Sequence, residues 1–422
     1  MIMNSDVRPP ERVRPTISPP TNTSETTPPT NAGSAAEVDE QKLEEEFGPP
    51  PNETRINKPR LSRLLLLPAF GRKHIKRDNL MVLSSLMVLI LAGAASIAIL
   101  HYFKPPVTAV VLPTKRYTPP TTVASTLTGL VVSPGVNNQP VTAVMVENST
   151  FARPQSGLDQ AGVVFEALAE GGITRFMALY QDTQPNYIGP VRSVRPYYIE
   201  WALGFDASIA HVGGSPDALQ DITTWGAKDL NEFYTASAYQ RISSRVAPHN
   251  VYTSIAQLNQ LETKKGIGKS SYDGFPRKKE APAKTPTATS INMTFSSSDY
   301  NVHYDYDAAT NSYKRSEGGA PHMELNKDGS QTQIAPKVVV AMIVPYSIGA
   351  LDSSGAYYSV YGVIGSGAVS VFQDGTVTTG TWSKTSNAAQ IKFSDANGQP
   401  LLLNPGQTWI DAIAGSQDLS YT

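Results

Sequence analysis

The side chains with the greatest potential for chemistry in this 422-residue chain are arginines, glutamates and histidines in its middle part. Arginine suits phosphate or carboxylate because its planar guanidinium donates to two oxygens at once. Backbone N–H groups after a glycine pair, at a helix start, would add a second anion-binding element. We therefore predict an anion-binding cleft whose candidate residues are Arg153, Glu166, Glu170, Arg175, Arg192, Arg195, His211, Gly213, Gly214, Ser215, Arg245, His249 and Asn250.

Ordinary structural roles compete with this prediction. The segment Ser215–Asp217 is typical of a helix cap, with serine at the N-cap and proline in the first turn. Arg192 and Arg195 could instead pair with Glu166 and Glu170 inside the domain. His211 could be a hydrogen-bonded structural histidine at a strand end, and Asn250 could simply cap a turn. Capping does not explain the two arginines, the histidine and the glycine pair.

An enzyme is the second hypothesis. Glu166 or Glu170 with His211 could serve as acid and base in a hydrolase acting on envelope glycan or phosphodiester. The chain has no nucleophile-elbow, zinc-protease or P-loop motif. A zinc site would need His211, His249 and a carboxylate, and no ligand spacing supports one. We therefore predict no metal and no cofactor, and no catalytic residue can be assigned.

The composition excludes several classes of protein. The 35 Lys and Arg residues balance 36 Asp and Glu residues, so the overall charge does not indicate a nucleic-acid partner. The absence of cysteine excludes disulfides, thiolate metal sites and a lipid-modified cysteine.

One apolar segment, 79–103, predicts a single transmembrane helix. Leu80 to Leu100 carries no charged residue and is long enough to cross a bilayer. Basic residues are denser between Lys58 and Arg77 than between Lys104 and Arg116. By the positive-inside rule, the N-terminus should be cytoplasmic and the large C-terminal part extracytoplasmic.

The elements that must position the candidate residues begin after a Pro/Thr-rich spacer. Apolar runs separated by glycine turns predict strands at 141–148, 161–169, 173–182 and 207–212, and helical spacing predicts helices at 195–205, 215–225 and 253–266. Beyond 290 the pattern is almost purely β, which favours a small twisted sheet or a partly open barrel.

The predicted fold class is α+β, with a mixed α/β domain followed by a mostly antiparallel β domain, after the single transmembrane helix. The predicted organisation is a disordered, Pro-rich cytoplasmic segment with a basic juxtamembrane stretch (1–78), the helix (79–103), the spacer (104–128), the α/β domain (129–270), a linker or long loop (271–290) and the β domain (291–422).

Several ordered motifs resemble a known family. "FARPQSGLDQAGVVFEALAEGGITRFMALYQD", "IGPVRSVRPYYIEWALGFDASIAHVGGSPDAL" and "RVAPHNVYTS", then "YKRSEGGAPH", "FQDGTVTTGTWSK" and "PGQTWIDAI", are similar to the YerB-like family of bacterial envelope proteins (domain of unknown function 3048). The resemblance implies an extracytoplasmic domain pair held at the membrane, and it supplies no catalytic residue. Many members resemble lipoproteins, whereas this chain has no cysteine to lipidate and has an apolar helix instead.

Three functions therefore stand as hypotheses. The first is a membrane-anchored envelope protein that binds an anionic ligand, such as a wall-polymer phosphate or the carboxylates of a partner. The second is the hydrolase described above. The third is an interaction scaffold whose β domain docks another envelope protein, which an exposed apolar patch or an open sheet edge would support.

Overall fold

A long apolar helix begins the part of the chain that the structure describes. The structure is a computed structural model that describes residues 77–103, 121–352 and 354–422. Helix α1 (Arg77–Tyr102) is long and apolar enough over Leu83–Tyr102 to cross a membrane. It belongs to a compact unit separate from the one that contains residues 121–422, which we call the body. The predicted disordered segment before residue 77 and most of the predicted spacer lie outside the described residues.

The helices and strands of the body lie close to the segments predicted from the sequence. The helices are α2 (Pro196–Leu203), α3 (Pro216–Thr224), α4 (Glu232–Thr235) and α5 (Ile255–Lys264). The strands are β1 (Val123–Ala124), β2 (Val131–Val132), β3 (Thr142–Glu147), β4 (Val163–Leu168), β5 (Thr174–Tyr180), β6 (Ser208–His211), β7 (Lys228–Asn231), β8 (Gln240–Arg241), β9 (Val251–Tyr252), β10 (Ser290–Met293), β11 (Val302–Asp307), β12 (Ser312–Glu317), β13 (Ala320–Pro321), β14 (Met323–Leu325), β15 (Gln331–Gln333), β16 (Val338–Ile343), β17 (Tyr346–Leu351), β18 (Tyr357–Tyr361), β19 (Gly365–Gln373), β20 (Thr376–Lys384), β21 (Lys392–Asp395), β22 (Thr408–Ile413) and β23 (Leu419–Tyr421).

One ten-stranded sheet runs through both predicted domains. Its strand order is β21-β20-β19-β16-β22-β4-β5-β3-β6-β7. Strand β22 is parallel to β4, with Asp411 opposite Glu166, and β3, β6 and β7 are also mutually parallel. The α/β region and the β region are therefore continuous through main-chain hydrogen bonds.

The β region is mostly antiparallel, as predicted, although β16 and β22 pair in parallel. A five-stranded sheet has the order β13-β12-β11-β10-β23, and β17 and β18 form a separate hairpin. The five-stranded sheet agrees with the small sheet expected for this region, but the other long strands of the region extend the shared sheet instead.

The central strands of the ten-stranded sheet, β3, β4, β5 and β22, are buried on both faces, which explains their apolar sequences. On one face, Phe165 of β4 stacks on Trp201 of α2 with ring centroids 4.9 Å apart. On the other face, Phe176 of β5 meets Trp409 of β22 edge to face at 5.4 Å. Successive residues of β3 alternate between the two cores, with Met145 on the first face and Val146 on the second.

Two segments that were predicted as a spacer and a linker pack against the sheets of the body. The end of the predicted spacer pairs as β1 with β2, Leu127 is buried, and the Ser125 hydroxyl donates to Asp182 at 2.6 Å. The spacer therefore ends before residue 128. The long loop 271–290 lies across the body, where Arg277 donates to Leu127 O at 2.5 Å and Lys278 pairs with Asp374.

Candidate functional site

The carboxyl ends of the parallel strands β3 and β6 form one edge of the sheet, and a cluster centred on Glu147 lies there. Glu147 is the last residue of β3, and its side chain is 3% exposed. Its Oε1 lies 3.0 Å from His249 Nδ1 and 3.4 Å from Arg192 Nε. Its Oε2 has no hydrogen-bond partner within the described residues. One carboxylate oxygen therefore orients both an arginine and a histidine.

Arg192 differs from the other arginines of the described body. Main-chain bonds from Val191 N to Val251 O (2.7 Å) and from Arg192 N to Met145 O (2.9 Å) fix its position beside β3. Its guanidinium makes no hydrogen bond to a described residue, and the side chain is 27% exposed. The terminal nitrogens of Arg192 are therefore free, within the described chain, to bind a ligand.

His249 presents one ring nitrogen to the protein. Its Nδ1 faces both Glu147 Oε1 and the Ser149 hydroxyl, the latter at 3.4 Å. Because both groups meet the same nitrogen, this is not a catalytic triad, in which the carboxylate and the nucleophile contact opposite nitrogens. The ring is 21% exposed, and its Nε2 has no described partner.

A loop at the rim of this cluster carries an exposed aromatic ring. Phe151 is 78% exposed and lies 5.7 Å from the His249 ring, centroid to centroid. Arg245 holds the loop by donating to Phe151 O at 3.0 Å and to Pro154 O at 2.7 Å. We call Glu147, Ser149, Arg192 and His249, with Phe151 and Arg245 at the rim, the Glu147 site.

Arg175 and Arg195 converge on Glu170 instead of on an open cleft. Their Nη2 atoms lie 2.6 Å from Glu170 Oε1 and Oε2 respectively. They also donate to Ser193 O (2.9 Å) and Val194 O (2.7 Å). Burial opposes ionisation of Glu170, but the two guanidinium groups outweigh it and hold its pKa at about 2. This group, the Glu170 cluster, ties the β4–β5 turn to the segment before α2.

Glu166 lies in a third place, fully buried between the shared sheet and the five-stranded sheet. Its Oε2 accepts from Arg315 Nη2 at 2.6 Å, and its Oε1 accepts from the Thr174 hydroxyl at 2.8 Å. Burial raises its pKa to about 7 although Arg315 opposes the shift, and the neighbouring Asp411 carboxylate adds to the rise. Burial likewise raises the pKa of Asp411, to about 6.

The same buried arginine serves a further carboxylate. Arg315 Nη1 lies 3.4 Å from Glu317 Oε2, and burial raises the pKa of Glu317. Arg315 also contacts His322, and burial holds the pKa of this histidine well below its usual range. We call Glu166, Arg315, Glu317 and Asp411 the Glu166 cluster.

Arg153 borders this cluster at a cavity of about 370 Å³. Its Nη2 lies 3.0 Å from Glu317 Oε1, its Nε donates to Asn148 Oδ1 at 3.1 Å, and its Nη1 donates to Asp299 O at 2.9 Å. All three guanidinium nitrogens are thus occupied by the protein, so Arg153 offers little to a ligand in the cavity.

The predicted turn at the start of α3 has internal partners as well. His211 is fully buried, with Nδ1 2.7 Å from Gly213 O and Nε2 2.9 Å from Asp229 Oδ1. The Gly213 N–H donates to Asn231 Oδ1 at 3.1 Å, and Gly213 has φ +61°, which favours glycine. The Ser215 hydroxyl caps α3 by accepting from Ala218 N at 3.4 Å.

Two further candidates of this region also bond within the protein. Gly214 forms a parallel bridge with Val194, and Asn250 accepts from Arg241 at 3.3 Å.

The single cleft predicted from the sequence is therefore not formed. The arginines and histidines are divided among separate carboxylates, as the competing ion-pair interpretation anticipated, although Arg192 pairs with Glu147 instead of Glu166. Of the predicted residues, only Arg192, His249 and Arg245 meet in one solvent-accessible place. No set of three or more His, Asp or Glu side chains in the described residues has metal-binding geometry.

Sequence reasoning missed the acidic partners. Glu147 ends the apolar run of β3, and Asp411 interrupts the apolar strand β22. A charged residue inside a buried strand must be paired, and this signal could have identified both. Arg315, Glu317 and His322 lie in the quoted motif "YKRSEGGAPH", which supported the family resemblance but not the predicted site.

Comparison with known proteins gives consistent matches. Residues 127–268 and 291–410 match the N-terminal and C-terminal domains of the family described as protein of unknown function (DUF3048). Over 294 residues, the chain is 33% identical to "Putative lipoprotein YerB" of Bacillus subtilis (strain 168), covering 68% of this chain and 85% of that protein. The crystal structure of the YerB protein from Bacillus subtilis is similar with a TM-score of 0.63 and 29% identity, covering 71% of this chain and 99% of the crystallised chain.

Proposed function

The chain belongs to the DUF3048 family, and from this premise we propose that it is a membrane-anchored extracytoplasmic protein that binds an anionic ligand at the Glu147 site. The ligand contributes a phosphate or carboxylate group, carried by an envelope polymer or by a partner protein. The observation that carries the proposal is the Arg192 guanidinium, which makes no hydrogen bond to a described residue.

The chemistry of the site supports an oxyanion. Arg192 offers a planar pair of donors, and His249 Nε2 offers or accepts one further proton beside it. Glu147 orients both groups through a single oxygen, so their positions are fixed before a ligand arrives. Arg192 and Arg245 together outnumber Glu147, so the site has a positive balance. Exposed Phe151 adds an apolar surface on which a sugar ring or an apolar side chain can pack.

The hydrolase hypothesis is weaker in its original form. Glu166 and Glu170 are each held by buried arginines, and His211 is held by Asp229. Glu166, Glu170 and His211 therefore do not face one open cleft together. The pair of the buried Glu147 and the partly exposed His249 is the acid–base arrangement that remains. The Ser149 hydroxyl contacts His249 Nδ1, so it is not placed for activation by the free Nε2.

The membrane location is proposed on two grounds. Helix α1 has the length and composition of a membrane span, and the Bacillus relative carries the lipoprotein description. The excess of basic residues before the helix supports a cytoplasmic N-terminus. Protease digestion of intact spheroplasts should degrade the body and spare the N-terminal segment, whereas protection of the body would reverse the orientation.

Ligand binding is tested with the full chain in detergent micelles and two probes, polyphosphate and poly-glutamate. Arg192→Gln combined with His249→Gln should weaken binding of the preferred probe at least tenfold. Arg241→Gln is the matched control, because Arg241 is 47% exposed and pairs with Glu232 at the start of α4. The preferred probe distinguishes a phosphate ligand from a carboxylate ligand. Equal binding by the double variant and the wild type would refute the proposal.

A further inference from the structure

Strand β17 has an open edge. It pairs with β18 on one side only. The other side of β18 is closed by the β4–β5 turn, through Gly171 N to Tyr357 O (3.0 Å) and Ser359 N to Ala169 O (2.7 Å). The outward N–H and C=O groups of β17 have no partner among the described residues, so they can pair with another extended chain.

The edges of the two larger sheets in the described body are protected in ways that β17 is not. In the ten-stranded sheet, edge strand β7 carries Lys228 and Asp229, and edge strand β21 carries Lys392 and Asp395. In the five-stranded sheet, β13 is two residues long and contains Pro321, and β23 has three residues. Strand β17 has six residues and none is charged. Charges, proline and shortness are the usual protection against edge pairing, and β17 has only a register shift between Ile348 and Leu351.

The side chains of the β17–β18 hairpin indicate which kind of peptide segment could bind along the edge of β17. Ile348 is 64% exposed and Leu351 is 54% exposed, and Tyr357 and Val360 are also exposed. Asp352 is the only charged residue between Lys337 and Asp374. Asp217 of α3 lines a cavity of about 160 Å³ shared with the hairpin residues Gly349 and Ala350, and the arginine in its lining, Arg195, is buried and paired with Glu170. The surface is therefore apolar along the strand and acidic at its margin.

We propose that the β17–β18 hairpin is the docking site for an extended segment of a partner protein, which adds a strand to the edge of β17. The main chain of β17 supplies the affinity, and Ile348 and Leu351 select apolar side chains. Complementarity to Asp352 and Asp217 selects a basic residue at one end of the segment. This interaction is independent of the Glu147 site and uses different residues.

The test uses the full chain in micelles and a fluorescein-labelled peptide of alternating valine and threonine that begins with two lysines. Binding is measured by fluorescence anisotropy. Ile348→Lys and Leu351→Lys should each weaken binding at least tenfold. Val246→Lys is the matched control, because Val246 is an 82% exposed apolar residue in a loop far from β17 in the sequence.

Two altered peptides distinguish the addition of a strand to β17 from non-specific apolar or electrostatic binding. A probe with a central proline should bind at least tenfold more weakly, because proline cannot donate to the ladder. A probe with glutamates in place of the lysines should also bind more weakly. Equal binding of the proline probe, equal loss in Val246→Lys, or no binding of the first probe would overturn the proposal. Concentration-dependent dimers that Leu351→Lys abolishes would overturn it in favour of a second copy of this chain.

Discussion

Glu166 and Glu170 are close in sequence, but their pKa values shift in opposite directions. Both clusters place a glutamate against buried arginine, at 2.6 Å in each case. Glu170 faces two arginines, and its pKa falls to about 2. Glu166 shares one arginine with Glu317 and Asp411, and its pKa rises to about 7. An ion-pair distance therefore does not reveal the charge state; the ratio of cations to carboxylates and the depth of burial decide it.

This difference bears on function. The Glu170 cluster has a surplus of positive charge, but the terminal nitrogens of Arg175 and Arg195 are all occupied by one carboxylate and two carbonyls, and only the two buried Nε atoms lack a partner among the described residues. The Glu166 cluster has a surplus of carboxylates, and it lies where β4 of the first family domain meets β22 of the second. Both clusters therefore stabilise the body, and the Glu147 site is left as the place where an arginine faces solvent without a hydrogen bond.

Removing the charge of Glu170 should have the largest effect. Glu170→Gln leaves Arg175 and Arg195 buried beside each other without a counter-charge, so the free energy of unfolding should fall by about 3–5 kcal/mol. Urea denaturation at neutral pH measures this loss. If the single variant does not fold, Glu170→Gln with Arg195→Met should recover part of the stability, because one unpaired cation is removed. No loss in the single variant would show that the arginines do not depend on Glu170.

The pH dependence of stability should show the opposite signs of the two clusters. Because the pKa of Glu170 is lowered from 4.5 to about 2, its contribution is present above pH 4.5 and is lost as the pH falls toward 2. Because the pKa of Glu166 is raised from 4.5 to about 7, the folded state retains a proton that the unfolded state releases, and stability falls as the pH rises from 4.5 to 7. That fall should be about 3 kcal/mol.

Glu166→Gln sharpens this prediction. The amide cannot ionise, so the fall in unfolding free energy between pH 5 and pH 7 should shrink by about half, with Asp411 still titrating. Urea midpoints at both pH values measure it. Glu317→Gln is a useful comparison, because its pKa is also raised by burial. A wild-type protein whose stability does not change between these pH values would mean that all three carboxylates are ionised throughout.

Much of the fold could be predicted because local signals agreed with it. The cap at Ser215, the helix of Tyr198 and Trp201, and the strands on either side of Gly171 are set by neighbouring residues. The joining of β22 to β4 could not be predicted, because parallel strands far apart in sequence leave no local pattern. The same holds for the candidate site, since the meeting of Arg192 and His249 with Glu147 depends on where the end of β3 meets two loops, not on residue types.

Arg153 should show an intermediate effect, because it lies at the exposed margin of the Glu166 cluster. Arg153→Gln removes the contact with Glu317 and the bonds to Asn148 and Asp299 O. A loss of about 1.5–3 kcal/mol in unfolding free energy is expected, as for hydrogen bonds to charged groups. Urea denaturation checks this loss. Lys337→Gln serves as the control, because its ion pair with Glu280 is more exposed on both sides and should contribute less. A loss as large as that of Glu170→Gln would place Arg153 inside the cluster.

Arg192 should have the smallest effect on stability, and that outcome completes the comparison. Its guanidinium makes no hydrogen bond to a described residue and lies 3.4 Å from Glu147. Arg192→Gln should therefore lower the unfolding free energy by about 1 kcal/mol or less, because only the long ion pair with Glu147 is lost. Thermal and urea unfolding of the variant measure this change. An arginine with a structural role would show losses of unfolding free energy like those predicted for the Glu170 and Arg153 variants. A large loss in Arg192→Gln would therefore mean that Arg192 stabilises the fold. Near-neutral stability together with loss of probe binding would mean that Arg192 binds a ligand.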